Sequence, residues 1–216
     1  MNKNYTIETV ETLASGHSPK GTWTNLDDVW RAAEEFMRVR GNDIHIPISL
    51  TFAELLLDAH PEADPLVTRL AILLHDSGWA RVDESKILTE GFQGDWRKSD
   101  IRFQHEVEGC NIAREILPAL GYSDEVIERV TTIIDGHDTR PDHKSIEDAL
   151  MRDADRLWRF TPAGIALASG WFKKTPSQYR VQLEETTYPE LITEAARALA
   201  SAELARSIEL LKLDLI

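Results

Sequence analysis

Four histidines of this chain, His45, His75, His105 and His137, fall at helical spacing on apolar stripes. His45 aligns with Ile48, Phe52, Ala53 and Leu56, and His75 with Ala71 and Ile72. His105 runs with Gly109, Ile112, Ala113 and Ile116, where the glycine leaves room for another element, and His137 ends the stripe of Val126, Val130, Ile133 and Ile134. An unpaired buried polar group costs about 1–3 kcal/mol, and a fold stable by about 5–15 kcal/mol cannot carry several. A shared partner removes the cost for all four. Neutral imidazoles plus carboxylates are the ligand set of zinc, iron, manganese or nickel. Asp76 follows His75 where the run "RLAILLHDSGW" ends, placed to turn toward the same centre and to bridge two ions. A further carboxylate comes from "DALMRDADRLWRF", as Asp153 or Asp155. Both flank the stripe of Leu150, Met151, Ala154, Leu157 and Trp158, and periodicity leaves the choice open. His17, His60 and His143 sit beside proline or in loop-like surroundings and read as solvated.

Helices must position these groups. The periodicity predicts a first helix over "LDDVWRAAEEFMRVR", capped by Asn25 or Asp27, and a second from Ile44 to Ala59 with Pro47 in its first turn. A third, Pro65 to Asp76, is apolar nearly all round, as a central buried helix is. Further helices are expected over 100–119, 124–135, 145–158, 162–172 and 188–213. Residues 79–99, rich in Gly, charge and Trp, predict a loop or lid. Strand-like alternation is almost absent, so the fold is all-α. One domain over 1–216 is expected, with a metal-binding core over about 44–160 and helices appended over 161–216. The last helix has apolar positions for packing in cis or across a homodimer.

At 216 residues with 42% hydrophobic and 28% charged residues, the composition is that of a soluble globular protein. No run is apolar enough for a membrane span, and "MNKNYTIETVETLASG" lacks a signal-peptide core, which predicts a cytoplasmic protein with no membrane partner. The single cysteine, Cys110, excludes an intrachain disulfide and reads as a buried thiol. A net charge of -13 with no Lys/Arg cluster argues against a nucleic-acid polymer as partner. A small anionic substrate would need a local source of positive charge, such as a metal.

The ordered set His45, His75-Asp76, His105, His137 and the Asp of "DADRL" resembles the HD-domain superfamily of metal-dependent phosphohydrolases. The likeness covers roughly Ile44 to Phe160 and includes the thirty-residue step from His45 to His75 and the apolar entry into "LLHDSG". It implies an HD-domain-like helical bundle around a buried metal site, and it favours Asp155 over Asp153 as ligand. It further implies His45, His75, Asp76 and Asp155 around one ion, and Asp76 as bridge with His105 and His137 around a second. The ions would be divalent Fe, Mn, Ni, Zn or Co, with Mg as a further option. No "GYP" follows His137, so the cyclic-di-GMP-degrading branch is not implied.

On that reading the protein hydrolyses a small phosphate ester or nucleotide, the ions activating water and clamping phosphoryl oxygens. Asp76 and Asp138 are the candidate catalytic carboxylates, Asp138 as orienter or proton acceptor beside His137. Arg81, Lys86, Arg140 and Lys144 lie near ligand-bearing ends as candidate phosphate contacts. Trp79 and Trp96 are candidates for stacking on a nucleobase or for packing. A different reaction fits the same ligands: some proteins resembling this one use a di-iron pair to activate oxygen and cleave a C–P or C–C bond. A non-catalytic metal-binding module is the third alternative.

Overall fold

The computed structural model describes residues 26–91 and 98–214. Among them every regular element is helical and no strand occurs. Helix α1, Leu26–Ala33, gives way to a 3-10 turn at Glu34–Phe36, so the first predicted helix is shorter than its periodicity. Arg40 and Gly41 then take left-handed backbone, φ 55° and 70°, which ends any helix. Asn25 lies outside the described residues, and Asp27 sits in the first turn of α1 rather than before it.

Helix α2 spans Asn42–Ala59. It begins two residues before its predicted start, which puts Pro47 inside the helix, where the missing N–H removes one rung. Helix α3, Pro65–Leu74, starts on Asp64, whose carboxylate accepts from the Leu66 and Val67 N–H groups, and is buried on nearly every side. The 3-10 turn Ser77–Arg81 follows, and then a short helix α4, Glu84–Glu90, capped by Asp83. Part of the predicted loop is therefore helical, and residues 92–97, with Trp96, lie outside the described residues.

Helices α5 (Asp100–Ala119), α6 (Asp124–Ile134) and α7 (Ile146–Leu157) complete the frame. Helix α7 packs against α2 and α3, and α5 packs against α6 and the 77–81 turn. Helix α8, Pro162–Trp171, precedes a helix the periodicity missed, α9, Pro176–Gln182, which starts with a Thr175/Gln178 capping box and Pro at its first position. A π-helical turn at Leu183–Thr187 and a 3-10 turn at Tyr188–Glu190 lead to α10, Glu194–Leu211. The last helix starts later than predicted because Asp153 captures the chain just before it: the carboxylate accepts from the N–H groups of Ile192 and Thr193 at 2.8 and 2.9 Å. Helix α10 packs in cis on α7 and α8, burying Leu199, Ala200 and Leu204. One continuous core runs from Leu26 to Leu213, so the helices after Phe160 share the interior that holds α2 and α7.

Candidate metal centre

Helix ends and helix faces deliver the candidate ligands alternately. His75 and Asp76 come just past the end of α3, and His137 and Asp138 just past the end of α6, after a left-handed Gly136 at φ 82°. His45, His105 and Asp155 project from the bodies of α2, α5 and α7. A helix C-terminus leaves carbonyls without donors, and two imidazoles use them. His75 Nδ1 donates to the Ile72 carbonyl at 2.8 Å, and His137 Nδ1 donates to the Ile134 carbonyl at 2.8 Å. Each ring is thereby oriented with its Nε2 lone pair toward the interior. His45 and His105 are held differently, by stacking. His45 lies on the Trp158 ring with centroids 4.5 Å apart, and His105 on the Trp79 ring at 4.0 Å.

The donor atoms form two groups joined by one carboxylate. In the first, Asp155 Oδ1 lies 2.9 Å from His45 Nε2 and 3.3 Å from His75 Nε2. In the second, Asp138 Oδ2 lies 3.6 Å from His105 Nε2 and 3.8 Å from His137 Nε2. Asp76 stands between them. Its Oδ2 faces the first pair, 3.4 Å from His45 Nδ1 and 3.7 Å from His75 Nε2. Its Oδ1 faces the second, 3.6 Å from both His105 Nε2 and His137 Nε2.

These spacings suit atoms sharing a centre about 2.0–2.2 Å away, as zinc ligands do. Buried ring nitrogens without a hydrogen-bond partner support the same fit: His75 Nε2, both nitrogens of His105, and His137 Nε2, while His45 spends Nε2 on Asp155 and leaves the unpartnered Nδ1 toward Asp76. All four rings are essentially excluded from solvent. Orphaned buried nitrogens on four rings are hard to reconcile with a site that holds nothing.

Each carboxylate has a guanidinium beside it. Arg40 donates to Asp76 Oδ2 at 3.1 Å and lies 4.5 Å from the Trp79 ring centroid and 4.9 Å from that of Trp171. Arg102 donates to Asp138 and, through Nε, to the Gly91 carbonyl at 2.9 Å. The Arg159 guanidinium is 3.8 Å from Asp155 Oδ2. Burial alone would raise the Asp76 carboxyl, but Arg40 and the imidazoles hold it well below the usual carboxylate range. Asp155 is held low against burial by His45, His75 and Arg159. Burial and the neighbouring His137 push His105 well down, whereas for His137 the Asp138 and Asp76 carboxylates outweigh burial and push it up to about 9.

Asp76 is fixed at three further points. Trp79 Nε1 donates to its Oδ1 at 2.9 Å, Asn42 Nδ2 donates to its backbone carbonyl at 3.0 Å, and the Trp79 N–H donates to that carbonyl at 3.3 Å. Glu106, beside His105 in sequence, holds the other turn: it accepts from the Asp138 and Thr139 N–H groups at 2.9 and 3.0 Å and from the Thr139 hydroxyl at 2.7 Å.

The structure thus brings together His45, His75, Asp76, His105, His137, Asp138 and Asp155. Asp153 is elsewhere, holding the segment before α10. The four cations read from the sequence as phosphate contacts are also elsewhere. Arg81 makes a two-pronged pair with Glu115 at 2.8 and 2.6 Å, and exposed Lys86 pairs with Glu90 at 3.8 Å. Arg140 pairs with buried Asp148 at 2.5 Å, and Lys144 is exposed, its backbone N–H donating to the same carboxylate. Proximity in sequence to a ligand-bearing end did not translate into direction. The arginines at the centre are instead Arg40, Arg102 and Arg159, which no motif of the sequence marks. Arg159 is four residues after Asp155 on a helical run, and that spacing was the available signal.

His60 pairs with Glu62 and His143 is exposed, while His17 lies outside the described residues. Trp79 is fully buried, packs on His105 and donates to Asp76, so it positions the centre rather than offering a face to a nucleobase. Cys110 is buried with its thiol near the Thr131 carbonyl at 3.4 Å, and burial pushes it up to about 11.

No curated protein matches the chain. Two solved structures are similar in fold. One is a predicted HD superfamily hydrolase from an uncultured Thermotogales bacterium, with 21% identity and a TM-score of 0.57 over 88% of this chain and 91% of that one. The other is YpgQ of Bacillus subtilis in complex with ADP, with 19% identity and a TM-score of 0.56 over 89% of this chain and 97% of that one. The HD-domain family model matches residues 43–159, more than half of the sequence and the whole stretch from His45 to Asp155. With an all-helical frame and candidate ligands for divalent metal at its centre, the chain belongs to the HD-domain family.

Proposed function

We propose that this protein is a metal-dependent phosphohydrolase acting on a small phosphate ester or a nucleotide. The observation that carries the reading is the pairing of two ligand groups across one carboxylate, Asp76, whose two oxygens face different histidine pairs. Two divalent ions held there would neutralise phosphoryl oxygens and lower the pKa of a water at neutral pH. The chain supplies the rest. His45, His75 and Asp155 would hold one ion, and His105, His137 and Asp138 the other, with Asp76 between. Arg40, Trp79 and Asn42 keep Asp76 from rotating away, and Glu106 fixes the turn that carries His137 and Asp138. Asp138 is the least buried carboxylate of the set, at 12% side-chain exposure, and Arg102 with the two imidazoles outweighs burial and holds it well below the usual carboxylate range, so it stays an anion available to a cation. The fold relative that binds ADP fits a nucleotide as one member of the substrate class.

The test is elemental analysis of protein purified without chelator, with electron paramagnetic resonance before and after air and a panel of phosphate esters and nucleotides. About two ions per chain and metal-dependent phosphate release are expected. A coupled mixed-valent di-iron signal with oxygen consumption would replace this reading with the oxygenase. A protein that takes up no metal after reconstitution would overturn both.

A further inference from the structure

The three carboxylates of the centre, Asp76, Asp138 and Asp155, are matched by three guanidiniums, and two of those are engaged. Arg40 hydrogen-bonds Asp76, and Arg102 bonds Asp138 and the Gly91 carbonyl. Arg159 differs. Its interaction with Asp155 is a 3.8 Å ion pair, beyond hydrogen-bond distance, so unlike the other two it makes no hydrogen bond to its carboxylate, and its buried Nε is unmatched as well. A guanidinium is a planar fork of five donors, and burying it with donors unmatched is unfavourable unless something anionic completes it. Asp155 faces His45 and His75 with Oδ1 and leaves Oδ2 toward Arg159.

The position of Arg159 adds a second argument. Side-chain exposure is 12% for Arg159 and Asp138 and 8% for Asp155, against 5% or less for Arg40, Arg102 and the four histidines. The Asp138, Asp155 and Arg159 edge is therefore the least buried side of the centre, and a small anion bound on that side would meet Arg159. The phenol of Tyr179 on α9 is close enough to feel both Arg159 and Asp155, and burial pushes it up to about 12, so it stays a neutral donor. Charge points the same way. The carboxylates and guanidiniums cancel three against three, so every cation bound by the imidazoles leaves net positive charge that an anionic ligand must offset.

We propose that Arg159 is the substrate-binding residue that takes the phosphoryl oxygens facing away from the ion-binding groups, on the Asp155 side of the site. The proposal rests on the phosphohydrolase reading, and it moves the anion-recognition role from Arg81, Lys86, Arg140 and Lys144 to a residue carried by the turn after α7. A flat, two-pronged donor favours a terminal phosphoryl or similar tetrahedral oxyanion over a neutral or monoanionic diester.

Inorganic phosphate titrated calorimetrically into the metal-loaded protein tests it, using Arg159→Gln and Arg159→Lys with metal content measured on each. Wild type should bind phosphate. Arg159→Gln should bind it at least about tenfold more weakly with metal content unchanged, and Arg159→Lys should recover part of the loss. A Gln variant with full metal and phosphate affinity within about twofold of wild type overturns the proposal. If the Gln variant does not fold, the Lys variant decides, because a point charge cannot reproduce the fork and undiminished affinity there overturns it as well. Wild type that holds metal and binds no phosphate overturns this proposal and the phosphohydrolase reading together.

Discussion

Two aspartates two residues apart, Asp153 and Asp155, do unrelated work. Asp155 Oδ1 faces two imidazoles, while Asp153 accepts from two backbone N–H groups and the Thr193 hydroxyl. Asp155→Asn should therefore fold normally and lose an ion, read by elemental analysis. Asp153→Ala should keep its metal and lose about 2–3 kcal/mol of stability, because three donors lose their acceptor. The reverse pattern would exchange the two roles. Trp79 offers a finer test. Trp79→Phe keeps a ring beneath His105 and near Arg40 but removes the 2.9 Å bond to Asp76 Oδ1. Metal affinity measured by chelator competition should fall by about tenfold, the scale on which orienting partners of ligands act. Unchanged affinity would mean that Arg40 and Asn42 suffice to fix Asp76.

At the scale of elements, the centre depends on one close approach. A Cβ on Gly78 would come within 1.9 Å of the His105 carbonyl oxygen and 2.4 Å of the Gly109 nitrogen, so the turn after His75-Asp76 lies directly against α5. Gly78→Ala should cost about 3 kcal/mol or more in chemical denaturation and separate the two ligand groups. At Gly109 the nearest atoms to an added Cβ are Ile134 Cγ2 at 3.1 Å and the His75 carbonyl oxygen at 3.2 Å. Gly109→Ala should stay within about 1 kcal/mol of wild type, since the helical gain of alanine opposes the crowding. The room Gly109 makes is thus for the His75 turn and α6.

Ligand-bearing helices were legible because they are long and their stripes regular: α2, α3, α5, α6 and α7 lie close to where periodicity put them. Elements defined by local chemistry were not. Helix α4 rests on the Asp83 cap and α9 on the Thr175/Gln178 box, and neither has enough turns for a stripe to show. The late start of α10 depends on Asp153, forty residues away from Thr193, which no local pattern contains. The central arginines were hidden for a similar reason: a side chain's direction at a helix end is set by tertiary neighbours, here the Trp79 and Trp171 rings around Arg40.

For the whole molecule, a net charge of -13 would repel the anionic substrate proposed above, and Arg40, Arg102 and Arg159 at the centre only balance Asp76, Asp138 and Asp155, so cations held by the imidazoles would supply the local positive charge. Titration shows how that centre couples to folding. Without metal, the neighbouring carboxylates raise His45 and His137 above the ordinary 6.5 despite burial, His137 to about 9. A group raised on folding contributes stability that is present in full below its unfolded pKa and is lost as pH rises through the folded one. Metal-free protein should accordingly lose on the order of 1–3 kcal/mol between about pH 6.5 and 9. Metal uptake displaces those protons, so apparent metal affinity should rise across the same window, and the thermal midpoint should rise on loading and fall on chelation. A midpoint of the metal-free protein that is flat over this range would show that the two rings are not protonated in the folded state.

The two ring stacks also make the centre visible. Trp158 lies on His45 in one ligand group and Trp79 on His105 in the other, each indole in van der Waals contact with an imidazole that would hold an ion. An open-shell ion such as cobalt(II) or nickel(II) quenches the emission of an indole that close, so each half of the centre carries its own fluorophore. Comparing the quenching of wild type with that of Trp158→Phe, which leaves Trp79 and its bond to Asp76 in place, would then report which half fills first, a question that total metal content leaves averaged over both.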